Sequence, residues 1–176
     1  ISYLGTEVPK IEDDFQRIFS EETAYQITSI LEGVIKRGTG RGLKDLNLDL
    51  AGKTGTTNNN TDAWFVGYTS NLVVGVYVGH DNPKKLGKYE TGSKTALPIF
   101  KEFIKKAVNN YEARPFKIAK GIKMIVIDAE TGKKADFASK KTIIESYKKE
   151  KIENQAIISN DKYNSNIFKK NILKFY

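Results

Sequence analysis

The chain has 176 residues, 39% of them hydrophobic and 28% charged, which suits one globular domain with a real core. It has no cysteine and one histidine, His80, so disulfides, thiol nucleophiles and multi-histidine metal cages are excluded. Chemistry must therefore run on hydroxyls, lysines, carboxylates or backbone groups, and no metal or cofactor is expected. The net charge of +8 is unevenly placed: residues 1–100 carry −1 and residues 101–176 carry +9. Four of the 29 basic residues are arginine, whereas nucleic-acid readers favour arginine forks, so nucleic acid is not an expected partner.

Ser20-Glu21-Glu22 reads as a helix start, a hydroxyl cap followed by two acids in the positive-dipole turn. Ala24, Ile27, Leu31, Val34 and Ile35 recur at helical spacing and predict the inward face. Gly33, unfavourable inside a helix, implies close packing there, and Gly38, Gly40 and Gly42 end the helix. Three strands are expected next, at 50–56, 63–69 and 72–79. Asn58-Asn59-Asn60-Thr61 is a turn, and Thr69-Ser70-Asn71 is short enough for an antiparallel hairpin. Trp64 and Phe65 both read as core. Asp62 before them suits turn hydrogen bonds, and the His80–Asp81 pair and Arg41 read as surface groups.

Pro98 fits a first helical turn, with Ile99, Phe100, Phe103, Ile104, Ala107 and Val108 as the buried stripe behind it. Three strands and one helix make half of an α/β layer, which cannot cover both of its own faces. Met124 to Ile127 reads as one more strand, turned by Asp128-Ala129-Glu130-Thr131-Gly132. From about Ala135 the apolar residues lose their period, and a weakly structured tail is expected, with at most a weak helix in 139–152.

Gly52-Lys53-Thr54 invites a phosphate-loop reading, but that motif needs glycine five residues before the Gly-Lys pair, and Asn47 stands there. Read as a strand, Lys53-Thr54-Gly55-Thr56 places Lys53 and Gly55 on one face and Thr54 and Thr56 on the other. Such an edge offers backbone pairing, hydroxyls for a carboxylate and a fixed cation, which suits an extended peptide ending in a carboxylate. Lys-Thr-Gly is also one of three motifs of β-lactamases and penicillin-binding proteins, with S-x-x-K and S-D-N.

The surrounding residues extend that likeness. Glu21 to Tyr25, Arg37-Gly38-Thr39-Gly40, and Ala51 to Thr57 resemble the transpeptidase domain of bifunctional class A penicillin-binding proteins. So do Asp62 to Tyr68, Val78-Gly79-His80-Asp81, and Glu90-Thr91-Gly92 leading into Ala96 to Phe100. Gly121-Ile122, Asp128 and Thr131-Gly132 resemble the short strand segment that follows that domain. The resemblance implies a partial β-lactamase/transpeptidase-like α/β fold, with antiparallel strands flanked by helices and a Lys-rich tail. The implied division is residues 1–112 for the C-terminal part of the transpeptidase domain, 113–135 for a short strand extension, and 136–176 for a basic tail. It also implies crosslinking of peptidoglycan stem peptides by serine acyl transfer, with β-lactams as ligands of the complete domain. Lys53 would be the electrostatic partner and proton relay, and the Thr56 backbone N–H an oxyanion donor. Thr54, Gly55, Thr56 and Thr57 would bind substrate. The expected location is the extracytoplasmic, periplasmic face of the inner membrane, through an upstream anchor outside this chain.

One departure matters. Neither S-x-x-K nor S-x-N precedes Lys53, and the matches Ser146…Lys149 and Ser159…Lys162 follow it in lysine-rich sequence. Together with the opening on Ile1 and the incomplete sheet, this leads to the expectation of a C-terminal portion whose partner is the N-terminal part of the same domain. Alone, such a chain is expected to be inactive. Two alternatives stand beside this reading: an inactive remnant or split-gene subunit, and a basic interaction module whose function lies in the tail.

Overall fold

The computed structural model describes residues 16–108 and 114–152. Helix α1 spans Glu21–Arg37 and begins as its sequence dictates: the Ser20 hydroxyl accepts the Thr23 N–H at 3.2 Å. Glu21 and Glu22 lie at its positive end, and Lys36 and Arg37 at its negative end. The Gly38 N–H closes it on the Val34 carbonyl.

The inward face of α1 differs from the expected one. Tyr25, Ser29, Glu32, Gly33 and Ile35 are buried, whereas Ala24 and Ile27 are exposed and Leu31 and Val34 half-buried. Apolar spacing misplaces the face because polar groups are buried there with partners. Glu32 accepts from the Lys36 ammonium at 2.9 Å, and the Gln26 amide donates to the Ser146 carbonyl at 3.0 Å. Gly33 is buried, and what a Cβ there would meet is the movable guanidinium of Arg37, 2.8 Å away, rather than a neighbouring element.

Strands β1 (Ala51–Thr56), β2 (Ala63–Tyr68) and β3 (Val73–Val78) form an antiparallel sheet in the order β1-β2-β3. The β2–β3 hairpin turns at Thr69, whose N–H donates to the Leu72 carbonyl at 2.9 Å. Register pairs Phe65 with Thr54 and Val76 on one face, and Trp64 with Gly55 and Tyr77 on the other. Phe65 is fully buried, but Trp64 is 42% exposed and lies against Tyr77 with ring centroids 4.6 Å apart. Adjacent strand residues face opposite sides, so the expectation that both were core holds for Phe65 alone.

Helix α2 (Leu97–Val108) covers the Phe65 face, with Pro98 in its first turn and a π-helical turn, Gly92–Ala96, before it. Phe100 meets Phe65 with centroids 4.7 Å apart, and Ile35 of α1 with Leu43, Leu50, Ala63, Ala96, Leu97 and Ile104 complete the core. Ile99 and Phe103, expected in the buried stripe, are about half exposed at 51% and 49%. The sheet is narrow, so α2 buries the Leu97–Phe100–Ile104 line and leaves the flanks of its apolar stripe uncovered.

Strands β4 (Ile122–Asp128) and β5 (Thr142–Lys148) form a separate antiparallel pair. Strand β5 corrects the weak helix expected in 139–152 and the weakly structured segment from 136: helical backbone returns only at 149–152. The β-branched run Thr142-Ile143-Ile144 pairs with Asp128, Ile127 and Val126, and that pairing outweighs a charged, aperiodic composition. The remainder of the expected tail, 153–176, lies outside the described residues. The hairpin packs along α1, where Arg37 pairs with Glu145 at 2.8 Å and the Lys148 ammonium donates to the Thr23 hydroxyl at 2.7 Å. Tyr25, Ala119 and Ile122 form a second small core with Phe116, and the Phe116 ring meets Tyr68 edge-on. Among the described residues no helix is long and apolar enough to cross a membrane.

Candidate active site

Strand β1 lies at one edge of its sheet. Just past its end, the extended residue Thr57 donates its N–H to the Asp62 carbonyl, toward β2, at 3.1 Å. Backbone groups alternate sides along a strand, so Lys53 and Gly55 also point their N–H and C=O toward β2. Thr54 and Thr56 then direct theirs to the open edge. Consistent with this, the Lys53 ammonium curls onto the Thr54 carbonyl at 2.9 Å. The edge thus presents the Thr56 N–H, the backbone of Thr54 and a lysine ammonium together.

The hydroxyls are positioned from the other side. The Thr56 hydroxyl accepts the Gly92 N–H at 3.0 Å, which leaves its own proton to donate outward. The Thr54 and Thr39 hydroxyls share one hydrogen bond at 2.8 Å, so this pair retains one O–H for an incoming acceptor. Gly92 comes so close that a Cβ there would lie 2.5 Å from the Gly55 carbonyl oxygen and meet the Trp64 carbonyl as well. Gly55 is small for a related reason: a Cβ on it would sit 3.1 Å from that of Trp64, its cross-strand neighbour.

Thr57 is placed differently from the other expected substrate-binding residues. Its hydroxyl shares a hydrogen bond with Thr61 at 2.7 Å and accepts the Asp62 N–H at 2.8 Å, which ties down the loop after β1. That loop is the expected asparagine turn, with Asn59 and Asn60 at positive φ, which asparagine tolerates better than most residues. Asp62 makes the expected turn hydrogen bonds and one more, accepting from the Tyr77 hydroxyl at 3.0 Å. The Tyr77 hydrogen bond, aided by those from Thr61 and Thr57, holds the Asp62 carboxyl below its ordinary value.

The remaining candidates stand apart from this edge. His80, Asp81 and Arg41 are exposed, as expected of surface groups. Ser146, the first residue of one late S-x-x-K match, is buried in β5, and Ser159 lies outside the described residues. Two contributors escaped sequence reasoning as site residues, Thr39 and Gly92. The signal available for each was its run, Arg37-Gly38-Thr39-Gly40 and Glu90-Thr91-Gly92, which flagged a family without assigning a role.

Comparison with known proteins identifies the family. Residues 9–105 match the penicillin binding protein transpeptidase domain model. The chain is 45% identical over 165 residues to penicillin-binding protein 1A of Rickettsia felis, covering 92% of this chain and 20% of that protein. It is 43% identical over 136 residues to penicillin-binding protein 1A of Pseudomonas aeruginosa, covering 77% of this chain and 16% of that protein. The crystal structure of penicillin-binding protein 1A from Haemophilus influenzae superposes with a TM-score of 0.65 at 32% identity, over 73% of this chain and 20% of that one. The chain thus spans about a fifth of the length of these relatives. Its lysine-threonine-glycine strand, its antiparallel sheet backed by helix α2 and these matches agree: the chain belongs to the penicillin-binding protein transpeptidase domain family.

Proposed function

We propose that this chain forms one wall of a peptidoglycan D,D-transpeptidase site, the wall that holds the stem peptide and stabilises the oxyanion. The observation that carries the proposal is the open edge of β1, with the backbone of Thr54 and Thr56 facing outward beside Lys53. An extended peptide ending in D-Ala-D-Ala adds to that edge as a further strand, gaining backbone hydrogen bonds. Its terminal carboxylate takes the free O–H of Thr56 and that of the Thr54–Thr39 pair, with Lys53 as counter-charge. A lysine–carboxylate contact at about 4 Å is worth ~1 kcal/mol in water and ~4 kcal/mol at an effective dielectric near 20, so it orients substrate once the cleft is closed to water.

In this reading a serine hydroxyl attacks the scissile carbonyl and the Thr56 N–H donates to the developing oxyanion. The C–N bond breaks, D-alanine leaves with the proton, and an amine of a neighbouring stem later displaces the serine. One oxyanion donor accounts for about 3–4 kcal/mol of such a barrier. Lys53 holds the carboxylate and relays protons. Gly55 keeps the strand close to Trp64, and Thr57 fixes the loop that follows β1. The serine is supplied by the N-terminal part of the domain, because no S-x-x-K precedes Lys53 in this chain. β-Lactams occupy the same site in the complete domain, and the assembly works at the extracytoplasmic face of the membrane on an anchor outside this chain. No cofactor and no nucleic acid take part.

The test is the acylation rate by a fluorescent penicillin when this chain is joined to a segment carrying S-x-x-K and S-x-N. Lys53→Ala is expected to slow acylation by about a hundredfold or more, and Thr56→Val by roughly tenfold. Rates unchanged by both substitutions would overturn the assignment.

A further inference from the structure

The loop joining β4 to β5 displays a feature with no part in the proposed acyl-transfer site. The chain turns at 128–132, runs back along β4 as far as Val126, and turns again at 136–139. Phe137 is fully exposed at the apex of that second turn, between the pairs Lys133-Lys134 and Lys140-Lys141, all four of which are exposed. The apex is built rather than loose. The Ser139 N–H donates to the Asp136 carbonyl at 3.2 Å, the Ala138 N–H to the Asp136 carboxylate at 2.9 Å, and the Asp136 N–H to the Ser139 hydroxyl at 3.2 Å. Both arms are pinned to the hairpin. The Ala135 N–H donates to the Val126 carbonyl and the Ala129 N–H to the Lys141 carbonyl, each at 2.9 Å. Two residues from the hairpin end, the cross-strand pair Val126 and Ile144 is also exposed. Among the described residues none of the four lysines forms an ion pair.

We propose that this hairpin end is a docking surface for an anionic phospholipid bilayer, with Phe137 entering the headgroup layer and the four lysines facing lipid phosphates. A single exposed aromatic residue is ordinary. An aromatic residue held at the apex of a hydrogen-bonded turn, beside an exposed apolar pair and between lysine pairs, has the chemistry of an interfacial anchor. Residues 114–152 hold eleven Lys and Arg against five Asp and Glu, so the unit approaches a negative surface favourably. Asp128 at the end of β4, with Glu130 and Asp136 in the loop, opposes the lysines, which makes the contact weak and salt-sensitive. Asp128 is turned inward on Thr131, accepting its N–H at 2.7 Å and its hydroxyl at 3.0 Å.

The absence of native cysteine allows a site-specific probe. The full chain carrying Ala138→Cys, labelled with an environment-sensitive fluorophore, is titrated with vesicles of phosphatidylcholine alone or with 30 mol% phosphatidylglycerol. We expect a blue shift with the anionic vesicles at low salt, lost at about 0.5 M salt, where the Debye length has shortened to a few ångström. Phe137→Ala is expected to weaken the response by roughly tenfold, the scale of losing most of one buried aromatic side chain. Glutamine at all four lysines should weaken it by roughly a hundredfold. Three results would overturn the proposal. One is vesicle co-sedimentation without a fluorophore response, which places the contact in other lysines. A second is a response undiminished by Phe137→Ala. The third is a concentration-dependent shift without lipid, which makes a second copy of the chain the occupant.

Discussion

Gly92 shows how much of the site rests on single atoms. It donates its N–H to the Thr56 hydroxyl and leaves no room for a Cβ against the Gly55 and Trp64 carbonyls, which are backbone atoms and cannot swing away. Gly92→Ala is therefore expected to destabilise the chain by about 1–3 kcal/mol or more, read from urea unfolding. Gly55→Ala meets the Trp64 side chain at 3.1 Å and should cost less. Asp62 makes a pH prediction. Its folded carboxyl titrates below its ordinary value of 3.8, so the stabilisation it brings is complete above the ordinary carboxylate range and lost as pH falls through the folded value. Trp64 emission, reporting on the neighbouring Tyr77, should show an acid transition that Asp62→Asn abolishes. A transition unaltered by that substitution would assign it elsewhere. At this scale the sequence was most legible where one residue's chemistry settles its role, as at the Ser20 cap and the asparagine turn. Thr39 was not legible, because its partner Thr54 is fifteen residues away and only the fold brings them together.

At the scale of elements, strand positions followed from alternation and turn residues, and helix faces did not. The expected α1 face held at Ile35 and missed Tyr25, Ser29 and Glu32, because polar groups on that helix find partners, Glu32 on the Lys36 ammonium and Gln26 on the Ser146 carbonyl of β5. The Glu32–Lys36 spacing lies within the helix, but no pattern there records the Ser146 carbonyl, 120 residues away from Gln26. Strand β5 was missed for the same reason, its fit being decided by β4 rather than by its own lysine-flanked sequence. These contacts carry consequences. Phe65→Ala and Phe100→Ala remove rings packed at the centre of the core and should each cost about 3–5 kcal/mol, while Trp64→Ala on the exposed face should cost clearly less. Equal losses at Trp64 and Phe65 in thermal unfolding would contradict the assignment of the two sheet faces. Glu145→Gln breaks the ion pair that joins β5 to the end of α1. It should raise hydrogen exchange in the hairpin while leaving the core of β2 protected.

For the whole molecule, the missing cysteine and near-missing histidine are no handicap, since the proposed chemistry runs on a serine, a lysine and backbone. The charge excess divides along the chain: residues 114–152 carry +6, of which the β4–β5 hairpin itself, 122–148, holds only six lysines against four acids, and the lipid-docking proposal rests on where four of those lysines stand. One sheet face, bearing Trp64, Val66, Val73 and Tyr77, is left substantially exposed, as expected of strands too few to cover both their faces. The fold family and the Lys53–Thr56 edge were legible because the motifs keep their order along the chain. No S-x-x-K precedes Lys53 in this sequence, and the proposed function therefore assigns binding wall and nucleophile to different segments. The most direct measurement is mass-spectrometric mapping of the covalent penicillin adduct, on this chain alone and after joining it to a segment carrying S-x-x-K and S-x-N. No adduct is expected on residues 1–176 in either case, and a stoichiometric adduct is expected on the supplied serine in the joined protein. A stable adduct on any residue of this chain, Ser146 and Ser159 included, would contradict it.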